Sequence, residues 1–184
     1  MSNRNRWFAA EEVSFFVKII SVYIAWKLFH DYVWRTAESK AAWQASLTGY
    51  GHLYSWLISA VLRILGFPAT ADEAVVNIDA HHSIWIAEHC MAIPAMVIFA
   101  FSMLLFRGRW AEKAWFIPLG VLFIFFLNLF RLVSLSILMT HVQETTYQLY
   151  HRYVFLVITY GAILLMVAWW MDRVMDEAEG KEYP

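Results

Sequence analysis

The chain has 184 residues, 61% of them hydrophobic and 16% charged, with a mean hydropathy of +0.51. A water-soluble domain of this size has too little interior for so much apolar surface, so the composition calls for a lipid environment. A net charge of −1 gives no electrostatic basis for binding nucleic acid, and a single cysteine excludes an internal disulfide.

Residues 13–34 form an apolar run long enough to span, because about 20 residues at ~1.5 Å rise cross the hydrocarbon core. Arg4 and Arg6 precede it and place residues 1–12 in the cytoplasm. Lys18 and Lys27 interrupt the run and no small-residue cleavage site follows, so a retained first helix is expected and not a signal peptide. Residues 36–46 are polar and belong outside the membrane. Residues 47–66 carry His52, Ser55, Ser59 and Arg63 at helical spacing, a narrow polar stripe on an apolar helix. That suits a helix lying in the outer interface, or one turning its stripe toward a protein interior. Gly66 and Pro68 end it.

Residues 75–78 and 83–86 are short β-branched or alternating runs around Asp79-Ala-His-His82, which predicts a small outer β-hairpin. A helix follows from near Cys90 to Phe106. Arg107, Arg109 and Lys113 make the most basic loop, a cytoplasmic one. The next helix covers 115–140 and is apolar except for Asn128, Arg131, Ser134 and Ser136. After a polar outer stretch, 141–151, the chain returns through 153–171, with Tyr147, Tyr150, Tyr153, Trp169 and Trp170 marking its interfaces. Residues 172–184 form a charged cytoplasmic tail.

The expected architecture is an all-α polytopic membrane bundle, one integral membrane domain over 1–184. It has about four to five transmembrane helices, an interfacial helix and a small outer hairpin. Four crossings keep both termini and the basic loop in the cytoplasm. A fifth, through 47–66, would force the amino terminus outside.

The stretch Ile86-Ala-Glu-His-Cys-Met-Ala-Ile-Pro94 carries the only thiol, at the start of an apolar run. Cys90 precedes Arg107, and Arg131 follows Lys113, by nearly equal numbers of residues on neighbouring antiparallel helices. Both therefore lie roughly 25–27 Å above the cytoplasmic face, with His151 at roughly 31 Å, a single shallow layer at the outer face. His141, at roughly 42 Å, lies above it.

These residue types suit nucleophilic catalysis. A helix amino terminus, which Pro94 supports close to Cys90, and a nearby cation both lower a thiol pKa. His151 can take the thiol proton and return it to a leaving amine. Arg131 can hold an oxyanion or orient a carbonyl. Asn128, three residues earlier on the same face, can brace the guanidinium, and Glu88 can pair with Arg131 or His151. Two other readings compete. Cys90 can be inert packing in a non-catalytic scaffold. The histidines at 81, 82 and 89 with Cys90 can suggest metal or haem, but their spacing fits no common ligand frame, so neither metal nor cofactor is expected.

The order Cys90, then Asn128-Leu-Phe-Arg131 late in the next helix, then His151 at the start of the last one, resembles the exosortase/archaeosortase family. The resemblance covers roughly residues 47–171, and Asn-x-x-Arg within an apolar helix is its most specific piece. It implies a membrane-embedded cysteine transpeptidase or protease of the cytoplasmic (inner) membrane, with its active site at the outer face. Its partners would be membrane-tethered precursor proteins carrying C-terminal sorting signals, cleaved through a thioester. The family's cysteine, arginine and histidine match Cys90, Arg131 and His151. This chain departs where the family commonly has a small residue and glycine after the cysteine, since Met91-Ala92 stand there.

Overall fold

The computed structural model describes residues 3–106 and 109–179. In chain order it contains helices α1 (Asn3–Val33) and α2 (Ala37–Ile64), then strands β1 (Thr70–Asp72), β2 (Val75–Asn77) and β3 (Ser83–Trp85). After a 3-10 turn at Glu88–Cys90 come α3 (Ile93–Leu105), α4 (Trp110–His141), α5 (Glu144–Leu149) and α6 (Phe155–Glu179). Among these residues two helices, Trp110–His141 and Thr145–Arg173, are long and apolar enough to cross a membrane. Their outer faces carry large apolar side chains such as Phe130 (64% exposed) and Leu165 (73% exposed). Side chains of that kind on a spanning helix have lipid as their natural solvent. The chain divides into two compact units, Met1–Ala45 with Ile93–Val121, and Ser46–Ala92 with Leu122–Pro184.

In the first unit α1 runs beside α3. Trp26, Phe29 and Trp43 form an aromatic cluster, with ring centroids 5.9–6.3 Å apart. The polar stretch 36–46, which the sequence sets apart from the next helix, is that helix's opening turns. Its side chains explain this: Thr36 Oγ1 accepts from the Ser39 N–H at 3.2 Å, an amino-terminal cap. Alanines, Glu38, Lys40 and Gln44, all strong helix formers, follow it. α3 is shorter than expected. It begins three residues after Cys90, with Pro94 tolerated in its first turn, and spans 13 residues. Lys113 closes its other end: the ammonium is 4% exposed and donates to the carbonyls of Leu104 (3.2 Å) and Phe106. Lys113, which the sequence groups with the basic loop, is thus a carboxyl-terminal cap, where a helix dipole favours positive charge. Arg107 and Gly108 of that loop lie outside the described residues.

The second unit builds a core from Tyr54, Ile58 and Leu62 of α2, Val76, Ile78 and Ile86 of the sheet region, and Ile124 and Leu135 of α4. The polar stripe on α2 splits accordingly. Ser55 and Ser59 are buried while His52 and Arg63 stay exposed, and Ser55 Oγ donates to the Glu73 carbonyl between the strands. The expected hairpin is a three-stranded antiparallel meander in the order β1-β2-β3. Its extra strand, Thr70-Ala71-Asp72, pairs Ala71 with Val76 across a two-residue turn. In that turn Glu73 holds φ 49°, the left-handed geometry for which glycine or asparagine would have been the signal. Between β2 and β3, Asp79 Oδ1 accepts from the N–H groups of His81 and His82, both at 2.8 Å. The Asp79 carboxyl also meets the His82 ring at 2.9 Å. These bonds hold the Asp79 carboxyl below its ordinary pKa.

Gly51 is where α2 meets this layer: a Cβ there would come within 3.2 Å of Met91 Cε and 3.3 Å of Ala74 Cβ. Gly51→Val is expected to destabilise the unit by about 1–3 kcal/mol, the usual cost of overpacking. A thermal midpoint in detergent no lower than wild type would show that the helix can back away from the sheet.

Candidate active site

The site is built on a turn and not on a helix end. Ile86 donates its N–H to the Ala74 carbonyl at 2.8 Å, which anchors the chain to the sheet. The 3-10 turn Glu88–Cys90 follows, closed by the Cys90 N–H on the Ala87 carbonyl at 2.8 Å. Met91 sits at φ −87°, ψ 0°, and Ala92 at φ 55°, so a bridge-region and a left-handed residue redirect the chain into α3. Ala92 thereby takes a conformation that glycine adopts at lower cost, at the place where the family commonly carries that glycine. Since two non-helical residues separate Cys90 from Ile93, the thiol is not at the first turn of the α3 dipole, contrary to expectation.

Cys90 is 7% exposed, and its carbonyl is held from across the unit. Asn128 Nδ2 of α4 donates to it at 2.7 Å and also approaches the Tyr54 hydroxyl of α2 at 3.3 Å. A carbonyl accepts only, so the nitrogen of the amide must face Cys90 and the oxygen is turned elsewhere. Asn128 is wholly buried, and its Oδ1 has no hydrogen-bond partner among the described residues. Arg131 lies one turn on. Its Nε is likewise buried without a partner among those residues, so the brace expected between Asn128 and the guanidinium is not formed. Asn128 holds the Cys90 carbonyl instead.

The electrostatics run two ways. Burial pushes the Cys90 thiol above its ordinary pKa, while the Arg131 charge and a backbone hydrogen bond with Ala87 pull it down. Burial is the larger effect, so the thiol pKa is raised, whereas the sequence suggests a lowered one.

His151 belongs to the same unit, on the carboxyl-terminal helices. It does not begin a helix: Tyr150–Val154 form a π turn between α5 and α6. π turns of this kind recur at functional sites. Its ring stacks on Tyr147, with centroids 5.9 Å apart and planes at 18°. Glu88 opens the 3-10 turn, is partly buried, and accepts the Met91 N–H through its carbonyl. The structure thus brings Cys90, Asn128 and Arg131 together directly. It adds Tyr54, which the sequence reading passed over although a tyrosine hydroxyl on the apolar face of α2 must find a partner. Among the described residues no three His, Cys, Asp or Glu side chains gather where a metal could bind.

Comparison with curated proteins and with solved structures gives no match. The family model described as transmembrane exosortase matches residues 49–171, which take in Tyr54, Cys90, Asn128, Arg131 and His151. That match covers well over half of the chain and agrees with its spanning helices, and this protein is a membrane protein of the transmembrane exosortase family.

Proposed function

We propose that this protein is a membrane cysteine transpeptidase or protease that removes C-terminal sorting signals from membrane-tethered precursors. The reading places it in the cytoplasmic membrane with α1 and α3 as further crossings and the Cys90 layer at the outer face. The observation that carries it is that, within the family's matched region, the buried sole cysteine has its carbonyl held by the buried Asn128 amide and its thiol under the charge of the half-buried Arg131.

Cys90 Sγ attacks a carbonyl just outside the precursor's own membrane helix, and the thiol proton passes to His151. The carbonyl electron pair moves to oxygen, and the charge is held by Arg131. The C–N bond breaks, and the tail leaves as an amine that takes the proton from His151. An amine or water then attacks the thioester, releasing the product and regenerating the thiol.

A non-catalytic scaffold would also bury its cysteine, so the test must separate packing from assisted attack. Alkylation of Cys90 by iodoacetamide, followed against pH in detergent, is expected to rise in two steps. The first reflects His151 acting as base, and the second the thiol itself. His151→Ala should erase the first step and keep the second. A single step in both proteins would favour the scaffold.

A further inference from the structure

Two buried polar atoms on α4, one on the amide that holds Cys90 and one on the guanidinium whose charge reaches its thiol, have unused hydrogen-bonding capacity of opposite sense. Asn128 Oδ1 is an acceptor and Arg131 Nε a donor, each without a partner among the described residues. They stand one helical turn apart, on the same face of α4. The Asn128 amide is itself fixed by the Cys90 carbonyl and Tyr54, so its oxygen cannot swing away to find another partner without breaking both bonds. Buried groups of this kind are costly to leave empty and mark a place where a ligand completes the bonding.

An extended peptide residue offers the complement. In a β-strand the N–H and C=O of one residue point to the same side, which is how antiparallel partners exchange both bonds. We propose that Asn128 Oδ1 and Arg131 Nε form a backbone-reading subsite for the substrate residue whose carbonyl Cys90 attacks. Arg131 takes that carbonyl and Asn128 accepts the same residue's N–H. The inference rests on the reading of Cys90 as nucleophile and extends it: the substrate binds as an extended strand recognised by its main chain at this residue. Asn128 then does two jobs with its two ends, holding the enzyme's own backbone with its nitrogen and the substrate's with its oxygen.

The test uses two small electrophiles that differ in one atom. N-acetylglycinal carries the N–H, and acetoxyacetaldehyde has an ester oxygen in its place. Each forms a reversible thiohemiacetal: sulfur bonds to the aldehyde carbon and the thiol proton ends on the oxygen. Their protection of Cys90 against iodoacetamide is measured in detergent and normalised to their affinity for N-acetylcysteine. In wild type N-acetylglycinal is expected to protect at about tenfold lower normalised concentration, the scale of one buried hydrogen bond. Asn128→Ala should bring the two together. Equal protection in wild type overturns the subsite whether or not that variant folds, and so does failure of both aldehydes to protect a thiol that iodoacetamide still alkylates. Either result leaves the His151 step in the alkylation profile intact, whereas a failed nucleophile would lose that step as well.

Discussion

Asn128→Leu is expected to unfold the second unit at lower temperature. Leucine keeps nearly the same volume but removes the donor that satisfies the Cys90 carbonyl, leaving that oxygen buried without it, while Tyr54 keeps its hydrogen bond with Tyr50. An orphaned buried carbonyl costs about 1–3 kcal/mol, partly offset because Oδ1 no longer has to be buried unpaired, so a net loss of about 1–2 kcal/mol follows. Asn128→Asp sharpens the test through pH. A carboxylate facing the Cys90 carbonyl repels it, whereas the protonated acid can donate in place of the amide. The folded state therefore raises the pKa of that carboxyl, and the variant should gain stability as pH falls through that raised value. Thermal midpoints of wild type and both variants from pH 4 to 8 check this. A flat profile for Asn128→Asp would mean that the amide is not holding the carbonyl.

Arg131→Leu is expected to separate stability from activity. The wild-type guanidinium buries an unpaired Nε, so replacing it with an apolar group should leave the thermal midpoint unchanged or raise it. Its positive charge is the main charged influence that lowers the Cys90 pKa, so without it the thiol should titrate at higher pH still. Precursor cleavage should fall by about 10²–10³-fold, the scale of losing one oxyanion donor. Arg131→Lys restores the charge without the planar fork, and should recover much of the titration but little of the rate. If Arg131→Leu instead destabilises the protein and leaves the thiol titration unmoved, the arginine is structural.

The parts of this molecule that follow from periodicity could be read in advance: the long apolar helices and the break at Gly66-Phe67-Pro68. What escaped depends on single side chains meeting across the fold. Thr36 looks like part of a polar loop until its hydroxyl is seen on the Ser39 N–H. Thr70-Ala71-Asp72 has no strand composition and is a strand only because β2 offers it a partner. The π turn at Tyr150–Val154 leaves no periodic trace, since one extra residue per turn is invisible in a five-residue window. Asn128 was assigned to the wrong neighbour for a related reason. Spacing on its own helix favoured Arg131, and the carbonyl that won lies on a distant turn.

That distance has a consequence for biogenesis. The amide that secures Cys90 comes from a helix 38 positions later in the chain, and its other contact lies 74 positions before it. While the chain is being inserted, the thiol emerges on a strained turn, next to Ala92 in its left-handed conformation, with nothing yet to hold its carbonyl. Only when α4 has joined α2 does the turn become fixed, and the Arg131 charge arrives with the same helix. A partly inserted chain thus carries Cys90 on a turn that no amide yet fixes, and α4 brings that amide and the Arg131 charge together.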